Sequence, residues 1–415
     1  MTVSPARKLA FEILLKVGDG GYASDLLAAR SAGLDARDAG LAHELVFGSL
    51  RYQGQLDYLI GHYSGRAQRL DPEVRVALRL GIYQIRYLER IPKHAAVSES
   101  VELVKQARKR SAAGFVNAVL RKTNPNPVEW PSREARLSCP EWLIARWEQQ
   151  FGREVAEGVA EAALKQPETY IRLPLGATPK PEQNEPKWGR PSACGGAPPR
   201  PAGWEPAAGQ GPAPQGEVPG AFVLTEGPVP PGARIQDIGS QSIVPLLDLA
   251  PGQTFLDLCA APGNKTAHAL ESGVDAVACD LHLSRLRHVE RCRRVVLDAS
   301  QPLPFAGTFD RILVDAPCSG TGTLARNPEI KWRIEPTNIT QLAELQRCIL
   351  ANALRHVRPG GRLVYSTCSL ENEENQEVVS AVLREGVNAR ILHTMQRIPG
   401  RNPGDGFYAC VLALN

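Results

Sequence analysis

After about residue 235 the chain alternates short apolar segments with segments of helical periodicity, and this alternation constrains the fold more than any other feature. The predicted strands are 254–258, 276–280, 295–297, 309–314, 362–366 and 407–414. The predicted helices between them are 265–270, 284–291, 340–356 and 373–383. Strands that are apolar throughout are buried on both faces, so the pattern predicts a Rossmann-like, doubly wound α/β domain with a mainly parallel sheet over 235–415.

The first 125 residues show helical periodicity and no strand alternation. Asp35 is a candidate N-cap, and Asp71-Pro72-Glu73 has the N-cap candidate, the first-turn proline and the early acid of a helix start. Helices are predicted over 7–17, 35–52, 74–88, 95–107 and 112–120. Residues 1–125 are therefore expected to form an all-α domain.

The middle of the chain, 126–234, changes composition. Two helical stretches, around 142–151 and 155–163, precede a segment from Pro179 to Gly232 that is dense in proline and glycine. Such a segment buries too little apolar surface to offset its ordering entropy, so we predict a helical connector followed by a largely disordered linker. A short strand at 221–224 is the one expected interruption, and Trp188 and Trp204 are possible docking points.

Charge and cysteine usage restrict the partners. The net charge of the whole chain is only +4, so a nucleic-acid surface must be local. Residues 66–122 carry thirteen basic against five acidic side chains, which fits either RNA contact or a solvated helix face.

The nine cysteines include no Cys-x-x-Cys pair, which disfavours a disulfide framework and a zinc site. Without a run of about 18 apolar residues or the apolar core of a signal peptide, we expect a cytoplasmic protein without membrane contact.

The first chemical motif is a turn of small residues between the strand 254–258 and the helix 265–270. Small residues let the backbone approach a ligand, and a helix N-terminus favours a negative group, although a tight loop without a ligand is the alternative. Asp280 and Asp298 end the next two strands, where acids can bond ribose hydroxyls and the adenine amino group. Each acid alone also suits a turn. Together they favour adenosine, and the absence of a Gly-Lys-Ser/Thr loop disfavours ATP. The turn residues are Cys259, Ala260, Ala261, Pro262, Gly263, Asn264 and Lys265.

Two cysteines follow two further strands. Cys318 lies in the segment that begins at Asp315, and Cys368 follows the strand 362–366. The fourth and fifth strands of such a sheet flank the ligand cleft, so both thiols can face one ligand. Two buried structural thiols are the alternative, but turns rich in serine, glycine and proline form poor cores.

These motifs together resemble the RNA cytosine-5 methyltransferases of the RsmB (Sun) type. The resemblance rests on Cys-Ala-Ala-Pro-Gly-x-Lys-Thr, Asp-Ala-Pro-Cys-Ser-Gly-x-Gly and Ser-Thr-Cys-Ser. The helical region resembles the NusB-like RNA-binding domain of that branch. The resemblance implies S-adenosyl-L-methionine as cofactor, Cys368 as nucleophile and Cys318 as the cysteine that helps release the product. It implies cofactor contacts at Cys259 to Lys265, Asp280, Asp298 and Asp315.

The implied chemistry is covalent. Carbon 5 of cytosine becomes nucleophilic only after a thiolate adds to carbon 6. Asp315 would bond nitrogen 3, for which it must be protonated or share a proton. The cytosine must also be unstacked to be reached. Asn264 stands where the family usually has glycine, and asparagine tolerates a left-handed backbone better than most residues.

The sequence therefore predicts a monomeric methyltransferase of small-subunit (16S) ribosomal RNA, with no metal. A transfer-RNA cytosine-5 methyltransferase is one alternative. A non-catalytic RNA-binding factor of ribosome assembly is another. An amino-group methyltransferase would need Asn or Asp before Pro-Pro-aromatic, which the segment from Asp315 to Cys318 does not supply.

Overall fold

The computed structural model describes residues 3–65, 69–174, 218–224 and 227–414. The chain splits into two compact units, Met1–Gln166 with Leu324–Arg333, and Pro167–Thr323 with Ile334–Asn415. Trp188, Trp204 and most of the Pro/Gly-rich segment lie outside the described residues. Within the described ranges, every helix is too short or too polar to traverse a lipid bilayer.

The first unit is helical, as the sequence predicts. Its elements are α1 (Pro5–Gly18), α2 (Ala23–Arg30), α3 (Ala36–Arg51), α4 (Gln53–Ser64), α5 (Pro72–Tyr87), α6 (Lys93–Gln106), α7 (Ala113–Lys122), α8 (Arg133–Leu137), α9 (Glu141–Phe151) and α10 (Arg153–Ala162). The apolar faces of α1, α3 and α5 meet in one core. Asp35 caps α3 by accepting a bond from the Asp38 N–H at 2.8 Å. Asp71 is the N-cap residue of α5, but the prediction that its side chain caps the helix is wrong, because its carboxylate pairs with Lys109 Nζ at 2.8 Å.

The segment Leu324–Arg333 belongs to the helical unit, which the sequence did not predict. It contacts the last turn of α3, whose carbonyls have no partner within the helix. Lys331 Nζ donates to the Arg51 carbonyl at 2.9 Å, and Trp332 Nε1 donates to the Leu50 carbonyl at 3.1 Å. The Lys331 side chain is buried, and burial lowers the pKa of its ammonium to about 8.

The second unit holds a seven-stranded sheet in the order β6-β5-β4-β7-β8-β10-β9. The first five strands in this order, β6, β5, β4, β7 and β8, run parallel to one another. Strand β10 lies antiparallel to both β8 and β9. A small antiparallel sheet has the order β2-β1-β3. The strands are β1 (Tyr170–Arg172), β2 (Ala221–Val223), β3 (Arg234–Ile235), β4 (Thr254–Asp257), β5 (Asp275–Asp280), β6 (Arg293–Val296), β7 (Phe309–Asp315), β8 (Val357–Thr367), β9 (Ala389–Arg397) and β10 (Phe407–Leu414).

Helices cover the sheet, so the predicted doubly wound α/β class is confirmed. They are α11 (Ile238–Gln241), α12 (Asn264–Leu270), α13 (Leu283–Leu286), α14 (Pro336–Leu354) and α15 (Gln376–Arg384). The structure differs from the prediction at several elements, and β1, β3 and α11 were not predicted. The helix predicted over 284–291 ends at Leu286, and Arg291 has a left-handed backbone with φ 63°. Strand β9 was missed because most of its side chains are exposed at the sheet edge and it lacks an apolar pattern.

Candidate active site

The small-residue turn lies between β4 and α12 and is folded tightly against the sheet. The Ala260 N–H donates to the Cys279 carbonyl of β5 at 2.8 Å. Gly263 has φ 106°, and a Cβ there would meet Val289 Cγ2 at 3.0 Å, so this position requires glycine. Asn264 is the first residue of α12, and the left-handed position precedes it. Asn264 therefore does not have to adopt a left-handed backbone, and its presence in place of glycine introduces no backbone strain.

Asp280 is the last residue of β5, and Asp298 follows β6, the strand that pairs with β5. Asp280 is buried and accepts the Ala261 N–H at 3.2 Å and the His282 N–H at 3.0 Å, so it is fixed against the small-residue turn. Asp298 is exposed and lies two residues beyond β6. Bonds from the Ser300 hydroxyl and N–H lower the pKa of its carboxyl. Both acids are thus at the carboxyl edge of the sheet, where a ligand is expected.

Asp257, the last residue of β4, is an acid that the sequence reasoning missed. Its carboxyl is 1% exposed, and Oδ2 accepts the Thr266 hydroxyl at 2.7 Å. Oδ1 is buried and has no hydrogen-bond partner in the described chain. Burial raises the pKa of Asp257 to about 7. A buried acceptor without a donor, beside a turn that backbone can approach closely, suits a cofactor with an ammonium group, such as S-adenosylmethionine. Its position at a strand end was the signal in the sequence.

Lys265 and Asp315 form an ion pair between α12 and the end of β7. Lys265 Nζ lies 2.6 Å from Asp315 Oδ2, and the Ser366 hydroxyl donates to Oδ1 at 2.8 Å. The ammonium also lies 5.2 Å from the centre of the Phe407 ring. Burial alone lowers the pKa of Lys265, but the Asp315 carboxylate outweighs burial and the net pKa is raised. The raised pKa therefore keeps the proton of this pair on Lys265.

The two predicted thiols meet at the ends of β7 and β8. The sulfur atoms of Cys318 and Cys368 are 3.3 Å apart. The loops that carry them are joined by backbone bonds, from the Ala316 N–H to the Ser366 carbonyl and from the Gly322 N–H to the Cys368 carbonyl, both 2.8 Å. The pKa of the Cys318 thiol is raised well above the ordinary value, first by the hydrogen bond between Cys318 and Cys368 and second by burial. The raised pKa favours the protonated form of Cys318.

Three other cysteines of the described ranges are poorly suited to act as nucleophiles. Cys139, Cys279 and Cys410 are buried thiols whose pKa values are raised by burial. In the part of the chain that the structure describes, no three His, Cys, Asp or Glu side chains are grouped so that they could hold a metal ion. The two thiols and the Lys265–Asp315 pair are therefore the candidate reactive groups among the described residues.

Comparison with known protein families gives two matches. Residues 244–413 match the family described as 16S rRNA methyltransferase RsmB/F. Residues 4–125 match the NusB family. The predicted NusB-like character of the N-terminal region is thereby confirmed.

Curated relatives match over nearly the full length. The chain is 33% identical over 410 residues to the probable ribosomal RNA small subunit methyltransferase B of Bacillus subtilis, covering 93% of this chain and 89% of that protein. It is 33% identical to the ribosomal RNA small subunit methyltransferase B of Cronobacter sakazakii, covering 97% of each chain.

Solved structures share the fold. The crystal structure of PH0851 is similar with a TM-score of 0.77 at 22% identity, covering 100% of this chain and 99% of that one. A methyltransferase homolog from Pyrococcus horikoshii is similar with a TM-score of 0.53 at 23% identity, covering 69% of this chain and 100% of that one.

Proposed function

Because the chain belongs to the RsmB/F family of S-adenosylmethionine-dependent rRNA methyltransferases, we propose that it methylates carbon 5 of a cytosine in small-subunit (16S) ribosomal RNA. The reaction passes through a covalent bond between Cys368 and the base. The observation that carries this proposal is the 3.3 Å approach of the Cys318 and Cys368 sulfur atoms beside the Lys265–Asp315 pair. A planar pyrimidine reaching these groups would meet a nucleophile, a second thiol and a proton donor together.

The first step is addition of the Cys368 thiolate to carbon 6. The new carbon–sulfur bond breaks the double bond between carbons 5 and 6, and the electron pair spreads over carbon 5 and nitrogen 3. The S–H of Cys318 and the ammonium of Lys265 favour the thiolate before attack. Asp315 would bond nitrogen 3 by sharing the proton held on Lys265, which neutralises the charge that develops there.

The second step forms the carbon–methyl bond. S-adenosylmethionine supplies an electrophilic methyl group when bound. Carbon 5 then carries both the methyl and a proton. Removal of that proton re-forms the double bond and expels Cys368 as a thiolate. We assign the proton removal to Cys318, because conversion of Cys368 into a neutral thioether removes the charge that helps to hold the Cys318 proton.

The cofactor would be held by the turn between β4 and α12 and by the acids that follow the neighbouring strands. We assign Asp280 to the ribose hydroxyls and Asp298 to the adenine amino group, while Asp257 would offer its unpaired Oδ1 to an ammonium. The turn would approach the cofactor through its backbone. Its proposed contact residues are Cys259, Ala260, Ala261, Pro262, Gly263, Asn264 and Lys265.

RNA would be bound in part by the all-α domain, for which we propose bounds of 1–125, followed by the connector 126–234 and the methyltransferase domain 235–415. Within 66–122, Arg79 pairs with Asp57 and Lys109 with Asp71, so these charges are partly neutralised. The exposed basic side chains Arg90, Arg108, Arg110, Arg121 and Lys122 are the better candidates for phosphate contacts. We expect the active form to be a cytoplasmic monomer.

The test is methyl transfer by the purified full chain from S-adenosylmethionine carrying a radioactive methyl. The RNA substrates are small-subunit ribosomal RNA and transfer RNA from cells that lack this protein, and bisulfite sequencing locates the product. Label at one ribosomal cytosine, lost in Cys368→Ala, is the expected result. Label confined to transfer RNA would overturn the choice of substrate. Tight binding of ribosomal RNA without methyl transfer would overturn catalysis and favour an assembly factor.

A further inference from the structure

One buried carboxylate connects the two loops that carry the thiols. Glu374 is fully buried in a short 3-10 turn, Asn372–Glu374, that precedes α15. Its Oε1 accepts the Ser319 N–H at 2.8 Å and Gln346 Nε2 at 3.0 Å. Its Oε2 accepts the Ser369 hydroxyl at 2.5 Å and also the Ser319 hydroxyl. Four donors therefore converge on this side chain.

The donors are the direct neighbours of the thiols. Ser319 follows Cys318 in the sequence, and Ser369 follows Cys368. Each serine hydroxyl has one proton, and both protons are directed to Glu374. The two serine oxygens, 3.0 Å apart, are therefore brought together by a shared acceptor and need no hydrogen bond between them. An acceptor that offers two oxygens is what permits this arrangement.

The same network extends to the residue before Cys318. Gln346 of α14 donates to the Pro317 carbonyl at 2.8 Å as well as to Glu374. On the other side, the Tyr365 hydroxyl donates to the Glu374 backbone carbonyl at 2.6 Å. The turn with Glu374 is thus fixed to β8, and this contact fixes the position of the carboxylate between the two loops.

We propose that Glu374 is a positioning residue that sets the separation of the Cys318 and Cys368 thiols. The strand pairing of β7 with β8 ends at Asp315 and Ser366, so both thiols lie beyond the regular sheet. Backbone bonds of Ala316 and Gly322 hold the loops together there, whereas the Ser319 N–H donates to the Glu374 carboxylate. Glu374 supplies that link. Its effect on catalysis rests on the proposed function, whereas its effect on thiol spacing does not.

Substitution by glutamine keeps the volume and removes one acceptor. The amide NH₂ replaces one oxygen, so either the two hydroxyls or the two N–H donors lose their acceptor and must turn away. Because a buried donor without an acceptor costs free energy, the loops are expected to shift until the donors find new partners. In Glu374→Gln the sulfur atoms should therefore no longer be held at one distance.

The spacing is tested with phenylarsine oxide and the full chain without RNA. The arsenical takes two thiols, forms two arsenic–sulfur bonds and loses its oxygen as water, so it needs both sulfurs within reach of one arsenic atom. The amount of arsenic bound at this site is the difference between the wild type and the variants Cys318→Ser and Cys368→Ser, each of which lacks one of the two thiols. We expect Glu374→Gln to weaken that binding by roughly tenfold or more. The control Glu377→Gln, an exposed position in α15, should bind as the wild type does.

Wild-type arsenical affinity in Glu374→Gln would overturn the proposal. If that variant does not fold, Ser369→Ala, which deletes one of the donated hydroxyls, replaces it with the same expected loss.

A second readout is kinetic. Turnover should fall and a covalent protein–RNA complex should accumulate because the base is misplaced, so the KM for RNA should fall with kcat and not rise. Loss of arsenical binding in the variant, with no methyl transfer by the wild type, would retain the positioning role and reject the proposed reaction.

Discussion

Lys265 Nζ lies 2.6 Å from Asp315 Oδ2, although 50 residues separate the two in the sequence. The sequence implied that Asp315 must be protonated or share a proton to bond the base. The ion pair supplies a shared proton, held on Lys265, while Ser366 occupies the other carboxylate oxygen. The two residues therefore form one unit, and the loss of either should disable it.

Removal of the ammonium tests this unit. Lys265→Met leaves Asp315 without its cation and the thiol pair without a nearby positive charge. We expect the single-turnover rate of methyl transfer to fall by about 10² to 10³-fold, the usual loss for a charged group that stabilises a transition state. Lys265→Arg keeps the charge and should retain part of the rate. A Met variant as fast as the wild type would contradict the assignment.

The buried carboxyl of Asp257 predicts a pH dependence of stability. Its pKa is raised from 3.8 to about 7, so the folded chain binds a proton more strongly than the unfolded chain does. This contribution to stability is full below about pH 4 and is lost as the pH rises to about 7. Asp257→Asn cannot ionise. Its free energy of unfolding should rise relative to the wild type, by at most about 1.4 kcal/mol per pH unit across this window. Urea titrations without cofactor at several pH values measure the difference, and a constant difference would contradict it.

Two helical glycines should respond oppositely to alanine. A Cβ at Gly48 would lie 2.0 Å from Cζ of Tyr83, whose hydroxyl is tied to Glu44 at 2.5 Å. Gly48→Ala should therefore destabilise the helical unit by about 2 kcal/mol. Nothing lies within 4 Å of a Cβ at Gly61. Gly61→Ala should stabilise the unit by about 0.5–1 kcal/mol, because alanine loses less backbone entropy. Urea unfolding followed by helical circular dichroism decides both signs.

The two thiols should differ in reactivity. The raised pKa of Cys318 keeps it protonated, and only thiolates react quickly with iodoacetamide. We expect Cys368 to be alkylated at least about tenfold faster than Cys318 at neutral pH. Peptide mass spectrometry of a time course measures both, with the exposed Cys348 as an internal control. Faster labelling of Cys318 would reverse the two assignments.

The main sheet was predictable because most of its strands contain a continuous apolar stretch in the sequence. Strands β4, β5, β7 and β10 each contain a continuous apolar stretch, namely 255–256, 276–279, 312–314 and 407–414, as strands buried on both faces do. Strand β9 could not be found this way, since Ile391 and Leu392 are exposed at the sheet edge and its sequence mixes polar and apolar residues. Pairing with β10 creates that strand, and a local pattern does not contain such pairing.

The site was predictable to the extent that strand ends define it. The meeting of Cys318 with Cys368 follows from the parallel pairing of β7 and β8, which the alternation of elements implies. The partners of Glu374 do not follow, because its burial depends on how a turn after β8 packs against α14. Nor does the packing of Lys331 in the helical unit, since nothing in its neighbours indicates a contact with residue 51, 280 positions earlier.

The most direct measurement is covalent capture of RNA by the cysteine variants. Each variant is incubated with small-subunit ribosomal RNA and S-adenosylmethionine, and denaturing gels detect protein bound to RNA. Cys318→Ala should accumulate a complex that survives denaturation, since the bond to Cys368 forms but is not released. Cys368→Ala and the double variant should give neither complex nor methyl transfer. Sustained methylation by Cys368→Ala, or capture through a residue other than Cys368, would contradict the account.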